Sequence, residues 1–190
     1  MSEGWQGYYE RTKKLPDARY TKKFLEKLPK NASVLDFGAG SCAWSFAFMR
    51  DRPDITIDLL DKNIGKIEIP ENWRGEIIYL DFRDFHSLKL YDGIWAHSSL
   101  FFINNSELEK CFHELVKSLK TGGIFHFTMV DDAISDMPHF YGMSEDSILQ
   151  MVEREGLTIH HIEDSVPLYG AQKIPIRTYD IEAEKKWGCP

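Results

Sequence analysis

Short apolar runs recur along this chain, separated by polar and helix-compatible stretches. That alternation predicts a parallel sheet covered on both faces. Strands are expected at Ser33–Phe37, Ile55–Leu60, Glu76–Leu80, Asp92–His97, Gly123–Met129, Leu157–Ser165 and Ile174–Glu182. A helix is expected over Asp17–Leu28, ahead of the first strand. Over Ser106–Lys120, Leu108, Phe112, Leu115 and Leu119 form one stripe, with Ser106-x-x-Glu109 as a capping box and Gly122 just beyond. Ser144–Glu155 takes Ser144 as its cap, turns Ile148, Met151 and Val152 inward and stops at Gly156.

The last two strands follow the final helix with no helix between them. The turn-rich segment Val166–Lys173, with Pro167 and Gly170, joins them, and strands so joined pair antiparallel. The expected fold is therefore α/β. It has a Rossmann-like, seven-stranded, mostly parallel sheet with a C-terminal antiparallel hairpin, and helices on both faces. An NAD-type domain would instead end on another helix and parallel strand.

At 190 residues, 43% of them hydrophobic, the chain can bury one sizeable core, so residues 1–190 are expected to form one domain. Residues 1–30 read as its helical lid or cap segment. A net charge of −7 argues against a nucleic-acid groove. No apolar run reaches the ~20 residues that span a bilayer. The N-terminus lacks the basic and apolar regions of a secretory signal. Cys42, Cys111 and Cys189 are odd in number and far apart, which reads as reduced thiols and a cytoplasmic setting. A monomer or homodimer is expected.

Chemistry enters at Ser33-Val34-Leu35-Asp36-Phe37-Gly38-Ala39-Gly40-Ser41-Cys42-Ala43. The first glycine permits a tight turn after the strand, and the second lets a ligand approach bare backbone. Gly38, Gly40 and Ala43 also satisfy a loose G-x-G-x-x-A dinucleotide pattern. Asp36 decides between the readings. Its carboxylate suits a cationic ligand, such as an α-amino group beside a sulfonium, better than a pyrophosphate. An S-adenosylmethionine (SAM) site is the expectation.

A spaced series of acids agrees. Asp61 ends the second strand, 23 residues beyond Gly38, where a carboxylate can accept from both hydroxyls of a ribose. Asp58 competes for the role but falls mid-strand. Tyr79-Leu80-Asp81-Phe82 ends the third strand with an acid for an adenine amine and a ring for the purine. Taken singly, each acid also fits a solvated loop or a helix N-cap.

These motifs resemble those of the class I SAM-dependent methyltransferases over nearly the whole chain. Asp36-Phe37-Gly38-Ala39-Gly40 resembles the glycine motif, and Leu119-Lys120-Thr121-Gly122-Gly123-Ile124 resembles the "LKPGG" turn into strand five. Three segments resemble small bacterial methyltransferases of the tellurite-resistance type: Trp5–Thr12, Leu80–Phe85 and Tyr91–Leu100. The resemblance implies that Gly38, Ala39 and Gly40 meet SAM through backbone, with Asp36 near by. It implies that Asp61, with Lys62 beside it, holds the ribose, and that Asp81 and Phe82 receive the adenine. Ala96 and His97 would face the methionine end. Two positions depart from the pattern. Cys42 replaces the third glycine, and Ser99-Leu100-Phe101-Phe102-Ile103 lacks a histidine common in relatives. In addition, Lys62–Trp73 makes a poor helix, although one is expected there.

Methyl transfer is an in-line displacement from an activated sulfonium, so no nucleophile–base pair is demanded of the chain. A small-molecule acceptor, neither nucleic acid nor membrane, is expected. Its pocket would come from the N-terminal segment, the loop after strand four and the loop Val130–Met143. Trp5, Tyr8, Tyr9, Phe101, Phe102, Phe140 and Tyr141 cluster in these segments; for Phe101 and Phe102, ordinary packing is the better account. His97 is the first candidate for acceptor-side acid–base work, Tyr9 is a further catalytic candidate, and His139 is the next histidine. His126, inside strand five, reads as structural. His160-His161 has no acid or cysteine at ligand spacing, so no metal is expected. A silent SAM-binding module and a nicotinamide-dependent oxidoreductase are the alternatives.

Overall fold

The computed structural model describes residues 18–64, 69–86, 89–132, 139–166, 168–169 and 174–186. Tyr9, with the rest of the N-terminal aromatic segment, and Cys189 lie outside them. The elements are α1 (Ala18–Lys27), β1 (Ser33–Phe37), α2 (Ala43–Asp51), β2 (Thr56–Leu60), β3 (Ile77–Ile78), β4 (Tyr91–Ala96), α3 (Asn105–Lys117), β5 (Leu119–Val130), α4 (Glu145–Arg154), β6 (Leu157–Ser165), β7 (Leu168–Tyr169), β8 (Ile174–Pro175) and β9 (Thr178–Lys185). Short 3₁₀ turns cover Phe82–Asp84 and Leu100–Phe102.

Seven strands form one sheet in the order β3-β2-β1-β4-β5-β9-β6. The first five pair in parallel. β9 inserts between β5 and β6 and runs antiparallel to both. The chain winds outward from β1 through β2 to β3, then returns to lay β4 on the other side of β1. The gap between the tips of β1 and β4 is therefore a topological switch point, where ligands of such sheets bind.

Alternation along the strands fills two cores. Leu35, Phe37, Ile94 and Ala96 face one side, with Leu108, Phe112 and Leu115 of α3 and Ile148, Met151 and Val152 of α4. Val34, Ile57, Leu59 and Trp95 face the other, with Phe24, Leu25 and Leu28 of α1 and Phe48 of α2.

Several expected boundaries shift. α3 starts earlier than the Ser106 box predicts, because Asn104 is the cap. The Asn104 side chain accepts the Glu107 N–H at 3.1 Å and bonds the Glu107 carboxylate in return. Ile103 and Leu108 flank this cap from the same core, as a hydrophobic staple does. Leu119 leaves the helix and opens β5 by pairing with Tyr91; an irregularity between Tyr91 and Gly93, with Gly122 at φ +75°, absorbs the extra residues. β3 keeps only two of five expected residues, since an edge strand has one neighbour to hold it. The last expected strand splits: Ile174–Pro175 pairs with Leu168–Tyr169 in a separate ladder, and β9 begins at Thr178. Between β2 and β3 the described residues contain no helix, in keeping with the poor helical pattern of Lys62–Trp73.

Candidate cofactor and acceptor site

The turn after β1 places Gly38 at φ +86° and Gly40 at φ +50°. Gly38 is required twice over. A side chain there would adopt a left-handed backbone, and its Cβ would lie 2.4 Å from Ser99 Cβ and 3.2 Å from Phe82. Ser99, just beyond the β4 tip, thus closes over the turn. Cys42, at the third-glycine position, takes the same kind of backbone (φ +56°) directly before α2.

The N–H groups of the turn are spent locally. Gly38 and Ala39 both donate to the Leu60 carbonyl, at 2.7 and 3.1 Å. Gly40 donates to Asp61 Oδ2 at 3.1 Å, and Asn63 donates to Asp61 Oδ1 at 2.8 Å. A carboxylate has about four acceptor sites, so Asp61 retains capacity for hydroxyl donors. Burial raises its pKa. Asp36, at the end of β1, is buried and takes the Ser45 hydroxyl at 2.5 Å. Burial pushes its pKa up to about 7, with the Asp61 charge adding to the rise and Ser45 opposing it.

The loop therefore presents two buried carboxylates and few free N–H donors. That chemistry favours a cation with hydroxyl groups over a pyrophosphate.

Asp58, the rival for the ribose, is engaged elsewhere by three donors. It accepts from Lys89 Nζ (2.7 Å), the Tyr91 hydroxyl (2.9 Å) and the Glu76 N–H (3.0 Å). Asp81 caps the 3₁₀ turn through the Arg83 N–H and pairs with the Arg83 guanidinium and with Lys62 Nζ at 2.9 Å. These cations hold its carboxyl well below the usual range. An adenine amine would have to share this acid with Lys62. Phe82 is half-buried and packs on Phe37, ring centroids 4.6 Å apart.

His97 follows the β4 tip, against the Trp44 ring at 4.7 Å. Burial lowers its pKa to about 4, so it is neutral at pH 7. Sheet register brings to it three residues that sequence spacing hides. Trp95 pairs with His126 across β4–β5, and Thr128 pairs with Asp180 across β5–β9. His97 Nδ1 lies 3.4 Å from His126 Nε2 and 3.1 Å from Thr128 Oγ1, whose proton goes to Asp180 Oδ1 at 2.9 Å. The signal missed in the sequence is a run of polar residues on one face of inner strands: His126, Thr128, Asp180 and Glu182 are all nearly buried. Ala96 is buried in the opposite core. Phe101, Phe102 and Phe140 pack on one another, as ordinary packing predicts. His139 and Tyr141 are exposed.

No family model matches the chain, and no curated protein matches it. Solved structures do. The chain is similar to the N-methyltransferase NodS from Bradyrhizobium japonicum in complex with S-adenosylhomocysteine (TM-score 0.64, 15% identity, 96% of this chain and 99% of that one). It is similar to TehB from Haemophilus influenzae (TM-score 0.69, 15% identity, 82% of this chain and 58% of that one). It is also similar to the [4+2]-cyclase SpnF (TM-score 0.68, 15% identity, 90% of this chain and 81% of that one). Together with the strand order, these likenesses show that the fold is that of the class I SAM-dependent methyltransferases.

Proposed function

We propose that this chain binds SAM at the β1–β4 switch point and transfers its methyl group to a small-molecule acceptor by in-line displacement. The observation that carries the reading is the pairing of Asp61 with Gly40 beside the buried Asp36. It leaves acceptors, rather than N–H donors, facing the ligand. Asp36 would answer the ammonium and sulfonium charge, Asp61 the ribose hydroxyls, and Phe82, with Asp81 and Lys62 beside it, the adenine. Gly38, Ala39 and Gly40 would line the path of the cofactor through their backbone, with His97 at its methionine end and Ala96 contributing there only through its backbone.

The sulfonium is already activated, so the protein's part is alignment in a site that excludes water. His97 stays neutral at pH 7 and can take a proton from an acceptor that arrives protonated. The acidic chain favours a small acceptor over nucleic acid, in a cytoplasmic setting, for a monomer or homodimer. The spent N–H groups of the glycine turn weigh against the nicotinamide alternative. The same fold also carries a [4+2]-cyclase, so the fold alone does not imply methyl transfer.

Calorimetric titration with SAM, S-adenosylhomocysteine and NAD in parallel tests the cofactor. Micromolar binding of the first two without NAD is expected; NAD binding alone overturns the reading. Transfer of label from methyl-labelled SAM to a small-molecule extract then separates an enzyme from a silent binder.

A further inference from the structure

We propose that His97, His126 and Asp180 form a binding site for a divalent first-row transition ion such as zinc or iron(II). The three donor atoms converge. His97 Nδ1 lies 3.4 Å from His126 Nε2 and 3.6 Å from Asp180 Oδ1, and the last two are 4.0 Å apart. The three separations are longer than most hydrogen bonds and suit ligands around an ion, which would take the His97 Nδ1 lone pair in place of its 3.1 Å contact with Thr128 Oγ1. The point equidistant from all three atoms lies about 2.1 Å from each, which is the bond length imidazole and carboxylate make to zinc.

The donor set and its surroundings fit a borderline metal. Two imidazoles and one carboxylate leave coordination positions open, as transition-ion sites that act on a ligand do. His126 and Asp180 are nearly buried, so an ion there would be largely shielded from water. Thr128 donates to Asp180 Oδ1, the donor atom itself, at 2.9 Å and so fixes its position. Trp95 stacks on the His126 ring at 3.8 Å and Trp44 packs against His97, which walls the site with apolar surface. A small cavity, lined by His126 and Asp180 with Lys23, His161 and Glu182, adjoins the donors and has room for about one water molecule. Lys27 engages Glu182 at its edge.

The position gives the site a use. His97 is two residues from Ser99, which packs on the first glycine of the turn. An ion held there would offer its open positions to an oxygen, nitrogen or sulfur atom of a ligand near the switch point. Its binding does not depend on the proposed methyl transfer and is measured without SAM.

The test titrates the full chain, stripped with a chelator, with zinc against a chromophoric competitor, and separately with cobalt(II). One equivalent of zinc is expected to bind with a dissociation constant on the order of 1 µM or tighter. Cobalt is expected to give visible d–d absorption without a thiolate charge-transfer band, which excludes the cysteines. Asp180→Asn and His97→Gln are each expected to weaken zinc by at least about tenfold. The cobalt spectrum of the unaltered chain keeps the proposal open to refutation should a variant fail to fold. No zinc binding, a thiolate band, or binding that both variants leave unchanged overturns it.

Discussion

Asp61 accepts the backbone N–H of Gly40 at 3.1 Å, so the acid at the tip of β2 and the glycine turn after β1 are tied into one surface. In the proposed function, residues 21 positions apart in sequence would thereby meet the same ligand. The same carboxylate is steadied by the Asn63 N–H at 2.8 Å, which leaves it acceptor capacity for a further donor.

Replacing Asp61 by Ala is expected to weaken SAM by about 1–3 kcal/mol, the loss of a charged hydrogen-bond acceptor. Asp58→Ala is expected to act on the fold instead, lowering unfolding free energy by about 1–3 kcal/mol through the orphaned Tyr91 hydroxyl. Calorimetry and urea denaturation on both variants separate the roles. An Asp61 variant with native SAM affinity would remove the ribose assignment.

SAM affinity is expected to rise with pH up to about 7. Asp36 has its folded pKa raised to about 7, and a cationic ligand favours its ionised form, so binding expels a proton below that pH. For stability the sign is opposite. The folded pKa exceeds the unfolded value, so this group's contribution is present below about pH 4 and is lost as pH rises through about 7. Asp36→Asn is expected to flatten the affinity profile between pH 5.5 and 8; a profile of unchanged slope refutes the assignment.

His97 runs the other way. Its folded pKa is depressed to about 4 from an ordinary value near 6.5. The unfolded chain therefore binds more protons between those values, and stability falls as pH drops through that window. Urea unfolding at intervals from pH 4 to 7 is expected to show a shallower acid loss in His97→Gln than in the parent chain. Parallel curves would place the acid sensitivity elsewhere.

Gly38→Ala is expected to cost about 2–5 kcal/mol, combining a left-handed backbone with a Cβ pressed on Ser99. Pairing it with Ser99→Gly should recover the steric part and leave the backbone part. A double-mutant cycle measured by denaturation reads this coupling directly. Strict additivity would mean that the two residues do not touch.

Much of this protein is determined by local chemistry that a sequence displays. The β1 strand, its Gly38–Gly40 turn and the following helix are one contiguous pattern, and short apolar runs buried on both faces place the inner strands whatever their partners are. The antiparallel finish follows from the missing helix between the last two strands, since a short connection can only reverse the chain. Asp61 is legible for the same reason, as an acid at a strand tip at a suitable distance from the turn.

Other features wait on partners that are far away in the chain. Asn104, rather than Ser106, caps α3 because Ile103 and Leu108 fit the same core. Asp81 is occupied because Lys62, from the previous strand's tip, reaches it. The meeting of His97, His126 and Asp180 is a product of register across β4, β5 and β9. A sheet brings together residues by strand neighbourhood, and β9 becomes the neighbour of β5 only by inserting before β6, which no local pattern encodes.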